Sequence, residues 1–341
     1  MGKEKNSSKL LELCLKYYNN EDYIKAKEYY IRYIQEKQVK LSATFLEFTL
    51  DLLLTLNQLN RNADIIEICT LLLKKADKVQ EIEEWEIALK SSLGIAYKNS
   101  NRFNKARDIF KELINKYPAR ANLFYLLGTI YEAMDDFEPA FKYYKEAIEL
   151  EPESTEILHG LRVCYQKKEQ YSDLENVCEK ILQLNPEDLS ALNSLAIISM
   201  EKGEYEKAIR LLNQVIEKDN YFVAAWFNLG IAYVETEKLR KAIEAFNIVL
   251  EFEPENIDSL ALLAKAYLDN KDYQQAINAF EQLIEKDEVK VFYLLGLAYS
   301  HIYISEISKA LKYLKQTLEV DPNSEEAQFL KERIEEKLEN S

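Results

Sequence analysis

Glycine and proline are scarce in this chain, at 7 and 6 of 341 residues. Little is left for tight turns, bulges or phosphate-cradling loops, where glycine's backbone freedom is needed. Histidine occurs only at positions 159 and 301, so nucleophile–histidine pairs and histidine-rich metal sites have almost nothing to draw on. The four cysteines, Cys14, Cys69, Cys164 and Cys178, form no CxxC pair and read as small, reduced core residues. No Gly-rich phosphate loop, G-x-S-x-G or H-E-x-x-H is present. The expectation is therefore no enzyme activity, no metal and no cofactor. No run of 18 or more apolar residues exists either, which argues against a membrane span.

What the chain does contain favours helix. Hydrophobic residues make up 48% and charged residues 30%, enough to bury a large core and too apolar for disorder. Abundant Leu, Ala, Glu and Lys beside few helix breakers predict an all-α protein. The net charge of −15 repels phosphate backbones and anionic lipid heads, so neither nucleic acid nor a membrane surface is expected as a partner. Basic or apolar protein segments suit it better. The N-terminal MGKEKNSSKLLELCLKYY has a short apolar stretch broken by Glu12, unlike a secretory signal, and Asn6 stands where myristoylation wants Ser or Thr. A cytoplasmic location follows as the expectation.

The segment AAWFNLGIAYVETEKLRKAIEAFNIVLEFEPEN (residues 224–256) gathers several of the rare residues and shows why. From Trp226, Leu229 and Gly230 follow at +3 and +4 and Tyr233 at +7, then Ala242, Phe246 and Pro254. Phe124, Leu127, Gly128, Tyr131, Ala140, Tyr144 and Pro152 repeat this spacing, as do Leu93, Gly94, Tyr97, Ala106, Phe110 and Pro118. Prolines 118, 152, 186, 254 and 322 are separated by 34 or 68 residues. The unit reads as two amphipathic helices forming a hairpin, with Gly230 and Ala242 small enough for close approach. Pro254 ends the second helix.

This pattern, W-x-x-L-G-x-x-Y then A-x-x-x-F then P at a 34-residue period, resembles the tetratricopeptide repeat. The resemblance spans nearly the whole chain and implies a right-handed superhelical solenoid of about nine helix-turn-helix units. The units fall near residues 7–40, 41–80, 87–120, 121–154, 155–188, 189–222, 223–256, 257–288 and 289–324. The organisation is an N-terminal pair over 1–80, its second member degenerate, then five repeats over 81–256. Two further repeats, out of phase with the rest, cover 257–324, and a capping helix and tail 325–341. That cap, NSEEAQFLKERIEEKLEN, carries one apolar stripe, Ala327, Leu330, Ile334 and Leu338, with Asn323 or Ser324 at its start.

Three departures stand out. KKADKVQEIEEWE (residues 74–86) adds length, either as an extended helix with Trp85 and Leu89 buried or as a flexible joint. Tyr267 and Tyr299 lie 32 apart while Ala276 and Ala310 lie 34 apart, so two residues are missing near EKDEVKV and regained near SHIYISEISKA. This predicts a displaced first helix in the ninth unit or an enlarged turn in its hairpin. In the fifth unit Arg162 takes the glycine place and Leu174 the alanine place, which predicts splayed helices unless the change is neutral drift. Gly160 is a candidate compensation. The paired acids of EIEEWE and EEAQ read as solvated helix faces.

In relatives of this kind the first helices line a concave face along which ligands lie. The resemblance thus implies an inner strip made of Tyr125 and Thr129, His159 and Val163, Asn193 and Ile197, Phe227 and Ile231, and Tyr293 and Leu297. The alternative reading is that some of these side chains merely pack between neighbouring first helices. Asn228 and Lys265 join the candidate groove, Asn228 standing alone where relatives that transfer sugars carry an asparagine ladder. The Lys–Asn pair with which co-chaperone relatives hold a C-terminal carboxylate is absent. The expected function is a non-catalytic scaffold binding a basic, amphipathic or extended segment of another protein. Rival readings are an assembly factor or chaperone for a secretion or motility complex, and a structural subunit using convex or end surfaces.

Overall fold

The computed structural model describes residues 2–36, 43–75 and 83–339. The ends of the first two expected units and most of the 74–86 insertion lie outside the described residues. Among the described residues there are nineteen α-helices and no strand. The chain divides into two compact units, residues 1–170 and 171–341. The first holds α1 (Gly2–Asn19), α2 (Tyr23–Gln35), α3 (Ala43–Gln58), α4 (Asn62–Lys75), α5 (Glu83–Asn99), α6 (Phe103–Lys116), α7 (Ala121–Ala133), α8 (Phe137–Leu150) and α9 (Thr155–Lys167). The second opens with α10 (Tyr171–Leu184), α11 (Leu189–Glu201), α12 (Tyr205–Lys218), α13 (Val223–Glu235) and α14 (Leu239–Phe252). It continues with α15 (Ile257–Asp269), α16 (Tyr273–Lys286), α17 (Val291–Tyr303), α18 (Ile307–Val320) and α19 (Glu325–Glu339).

Each first helix ends in the same way. Residues 101, 135, 169, 203, 237, 271 and 305, each 34 after the last, all have positive φ. Only position 203 is glycine; Asn, Asp, Glu, Lys and Ser fill the rest. Around Glu237 the pattern is a Schellman cap: the Glu237 amide donates to the Val234 carbonyl (3.0 Å) and the Lys238 amide to the Tyr233 carbonyl (2.8 Å). The carbonyls orphaned at the helix end are satisfied while the chain reverses in three residues. The connections back to the next first helix are tight turns at residues 117–120, 151–154, 185–188, 253–256 and 321–324. Proline at their second position pushes the preceding residue out of the helical region, as at Glu253 (φ −128, ψ 76). Side-chain caps restart some helices: Ser154, Asp188 and Asn256 accept from the amides of Ile157, Ala191 and Ser259.

The core explains most of the glycines. From α6 onward the eighth residue of each second helix is Phe110, Tyr144, Cys178, Leu212, Phe246, Phe280 or Leu314, all buried. A Cβ on Gly94, Gly128 or Gly230 would lie 2.5 to 2.6 Å from the ring of Phe110, Tyr144 or Phe246. Gly230 therefore makes room for an aromatic ring, and close approach to Ala242 is not its main task. A Cβ on Gly160 would meet Tyr144, and one on Gly296 would meet Phe280, in both cases a ring from the preceding hairpin. Tyr144 thus lies between two glycines. Where the ring is replaced by Cys178, Leu212 or Leu314, the glycine place holds Arg162, Ala196 or Ala298. Gly160 serves Tyr144, so it is not a compensation for Arg162. The turn of that fifth hairpin is where the two compact units adjoin in sequence.

Other expectations change. α13, α15 and α17 start 34 residues apart, at 223, 257 and 291, and the turn after α17 has the usual three residues. There is no displaced helix or enlarged turn; Leu295–Gly296 imitates the Leu-Gly motif two residues ahead of its proper place, which Ala298 fills. The boundary expected at 288/289 falls two residues too early. Glu86 of EIEEWE is 2% exposed rather than solvated. It accepts hydrogen bonds from Lys116 (2.5 Å), Lys90 (2.6 Å) and the Tyr117 hydroxyl (2.8 Å). Burial pushes its carboxyl up, but those three donors outweigh it and hold the pKa at about 2. In α5 Leu89 is buried and Trp85 half-buried, as expected for a helical end to that segment. At the C-terminus Ala327, Leu330 and Ile334 of α19 pack on Ala298 and Leu314. Leu338 is 53% exposed and does not belong to that stripe. Ser324 is the cap, accepting from the Ala327 amide at 3.4 Å.

Candidate functional site

In the first unit the face of the first helices encloses a cavity of about 400 Å³. α5 contributes Lys98, α7 Tyr125, Thr129 and Glu132, and α9 Glu156, His159 and Val163. These side chains converge because residues four apart stack on one helix face and neighbouring first helices repeat the register. Tyr144 of α8 forms the floor, its ring passing between Gly128 and Gly160. Its hydroxyl donates to Glu132 Oε2 at 2.5 Å. Burial, then the Glu132 carboxylate, raises its pKa far above that of an ordinary phenol, so it stays a neutral donor. Tyr125 stacks obliquely on it, ring centroids 5.9 Å apart, and is half-buried. Burial, then the charges of Glu156 and Glu132, raises the Tyr125 pKa.

The charges are mixed. Burial lowers the Lys98 pKa, with Glu132 acting against it, and Lys98 Nζ lies 3.4 Å from the Thr129 hydroxyl. Glu156 is held below the usual carboxylate range, first by its own backbone amide, then by the Ser154 hydroxyl at 3.0 Å. Neutral phenol donors, two carboxylates and an ammonium around an aromatic wall suit the polar and cationic groups of a polypeptide. Among the described residues no group of three or more His, Cys, Asp or Glu is placed to hold a metal ion.

In the second unit the candidates separate. Asn228 has a neighbour to bond to: its amide donates to Asn193 Oδ1 at 3.0 Å, and Asn193 is 7% exposed. Ile197, Phe227 and Ile231 are half-buried, the Phe227 ring meeting Phe246 edge-on at 6.2 Å. Lys265 is exposed. Tyr293 and Leu297 are 2% and 0% exposed, so they belong to the core and not to an open face. They follow from the two-residue misreading at Gly296; in the observed phase the equivalent positions are Leu295 and Tyr299, both half-buried. The Tyr299 hydroxyl donates to Glu326 of α19 at 2.6 Å, and burial and that carboxylate raise its pKa to about 12. Sequence reasoning also left out Tyr144 as the cavity floor. The signal was present: a tyrosine where other hairpins carry phenylalanine, flanked by glycines at both places that can receive it.

The tetratricopeptide-repeat family matches residues 92–119, 121–154, 175–229 and 199–266. The family of subunit 3 of the anaphase-promoting complex, or cyclosome, matches residues 235–317. Comparison with curated protein sequences returns no significant match. Among solved structures, the Cut9–Hcn1 hetero-tetramer of the APC/C superposes with a TM-score of 0.57 at 18% identity, over 96% of this chain and 66% of that one. PilF of Pseudomonas aeruginosa gives 0.54 at 20% identity, over 62% and 97%. A tetratricopeptide-repeat protein of Parabacteroides merdae gives 0.52 at 18%, over 74% and 98%. At these identities the likeness concerns the fold. No helix of the described residues is long and apolar enough to cross a membrane.

Proposed function

As a member of the tetratricopeptide-repeat family this chain is a protein-interaction scaffold, and we propose that it captures a segment of a partner polypeptide on its first-helix faces without catalysing a reaction. The partner segment is extended or amphipathic, with apolar anchors and net positive charge, and the setting is cytoplasmic. The observation that carries this reading is the cavity of about 400 Å³ where half-buried Tyr125 stands between Glu132 and Glu156. An aromatic wall with adjoining carboxylates matches a lysine or arginine side chain with its apolar stem. Ile197, Phe227 and Ile231 offer apolar purchase in the second unit. The chain's charge of −15 supports a basic partner and disfavours phosphate-bearing ones.

Pull-down with the wild type beside Tyr125→Ala/Phe227→Ala identifies partners that use these faces. For such a partner the double variant should lose at least about 2 kcal/mol of binding, and rising salt should slow association more than it speeds release. Wild-type affinity in the double variant, or an acidic partner, would sink the proposal. A second reading, a subunit or assembly factor of a larger complex, draws on the match of residues 235–317 to an anaphase-promoting-complex subunit. Under it, the same double variant assembles normally.

A further inference from the structure

Residues 287–290, between α16 and α17, contain no proline and do not form the tight turn seen at the proline-bearing connections. They run extended, from Asp287 at ψ 167 to Lys290 at ψ 143. Beside them lies a cavity of about 650 Å³ walled by α16 and α18, with Leu294 of α17 in its lining. Its interior is apolar, from Ile284, Leu294 and Tyr313. Val289 and Val320 at its edge are 44% and 52% exposed. Three carboxylates, Glu281, Glu285 and Glu319, surround it against one ammonium, Lys312.

We propose that this cavity is a docking site for an amphipathic helix of another protein, with apolar side chains on one face flanked by lysine or arginine. The walls set the length. Lining residues run from Lys312 to Val320 on α18, about 12 Å at 1.5 Å per residue, or roughly two turns of a helix laid alongside. The backbone chemistry selects a helix over an extended segment, because a helix satisfies its own amides and carbonyls before it meets an apolar floor. An extended segment would bring unpaired peptide groups onto Ile284 and Leu294. The charge follows from the rim: carboxylates on both walls attract cationic flanks and repel a second copy of this acidic chain. This surface is built mainly from the second helices α16 and α18 and shares no lining residue with the cavity of the first unit.

The test uses the full chain and three fluorescent peptides of about 14 residues: one with leucines at i, i+3, i+4 and i+7 and Lys/Arg flanks, one with Glu flanks, and one with two central prolines that forbid a helix. Titrations by anisotropy, with circular dichroism of each mixture, should show that the basic peptide binds and gains helicity. Glu285→Lys/Glu319→Lys and Val320→Asp should each weaken it at least about tenfold, and Tyr125→Ala/Phe227→Ala should leave it unchanged. No binding of the basic peptide at about 1 mM, or equal binding of the acidic or proline peptide, overturns the proposal. So does insensitivity to the cavity variants, loss of binding in Tyr125→Ala/Phe227→Ala, or a self-association that Val320→Asp abolishes.

Discussion

The hairpin α13–α14 and the junction α16–α17 solve one packing problem in two ways. In the hairpin, Phe246 projects back onto the preceding helix, where Gly230 leaves room. At the junction, Phe280 needs the space of Gly296 on the helix that follows, while its own hairpin partner at the equivalent place is Ala264. The same two residue types fill the same volume, but one pair closes a hairpin and the other joins successive hairpins. A glycine in this fold is thus defined by the ring it faces rather than by its distance from a motif. The ionic contacts divide the same way. Glu86 ties α5 to α6 and the connection after it, whereas Asp287 accepts from Lys290 and the Tyr293 hydroxyl, both at 2.7 Å, at the junction.

Acid should strike the hairpin tie hardest. The Glu86 carboxyl, at about 2 against an ordinary 4.5, is depressed in the folded state. Its contribution is complete above about pH 4.5 and is lost as pH falls through 2, up to about 3 kcal/mol in all. Urea unfolding of wild type and Glu86→Gln should differ at pH 7 and converge near pH 2. Asp287 is also held at about 2, by Lys290 and Tyr293, so acid weakens it in the same window; amide exchange at the start of α17 should quicken there, and Asp287→Asn should remove that pH dependence. Next in size, Gly230→Leu and Gly296→Leu should each cost about 1–3 kcal/mol by overpacking, read from thermal melts. The pairings separate in double-mutant cycles. Phe246→Leu should relieve Gly230→Ala and Phe280→Leu should relieve Gly296→Ala, with couplings of about 0.5–3 kcal/mol. If Leu314→Ala relieves Gly296→Ala as well as Phe280→Leu does, the junction assignment is wrong. Smallest are the turns, which should not distinguish the regions. Glu237→Gly and Ser305→Gly, both at positive φ, should each gain up to about 1 kcal/mol, and Gly203→Ala should lose as much. Unequal gains would mean that the two turns differ in more than sequence.

The 34-residue framework was legible because proline, alanine and aromatic positions mark it redundantly from Leu93 to Pro322. The phase of α17 was not. Residues 287–290 lack the proline that marks other connections, and Leu295–Gly296 supplied a false marker in its place. From that single slip Tyr293 and Leu297 passed for surface residues. The positive-φ positions are as regular as the prolines, yet six different residue types occupy them along the chain, so no composition signal announces them. Glu86 was misread because its neighbours Glu83 and Glu84 are exposed and nothing local says which of three acids turns inward. On the first-helix face, Tyr125, Thr129, His159 and Val163 line one cavity, and that region keeps strict phase in the sequence. Tyr144 needed the structure, being contributed by a second helix.

The ring–glycine pairs also constrain how such a chain can be shortened or lengthened by recombination. A breakpoint between α14 and α15 keeps Phe246 and Gly230 on the same side of the cut, so a 34-residue block exchanged there arrives with its own vacancy. A breakpoint between α16 and α17 parts Phe280 from Gly296 and delivers a ring to whatever residue the new neighbour brings. Tyr144, held by glycines on both sides, ties α9 to the hairpin before it in the same manner. Viable insertions and deletions in relatives of this chain are therefore expected to cluster at seams where the ring's glycine lies behind it, and to avoid the two where it lies ahead.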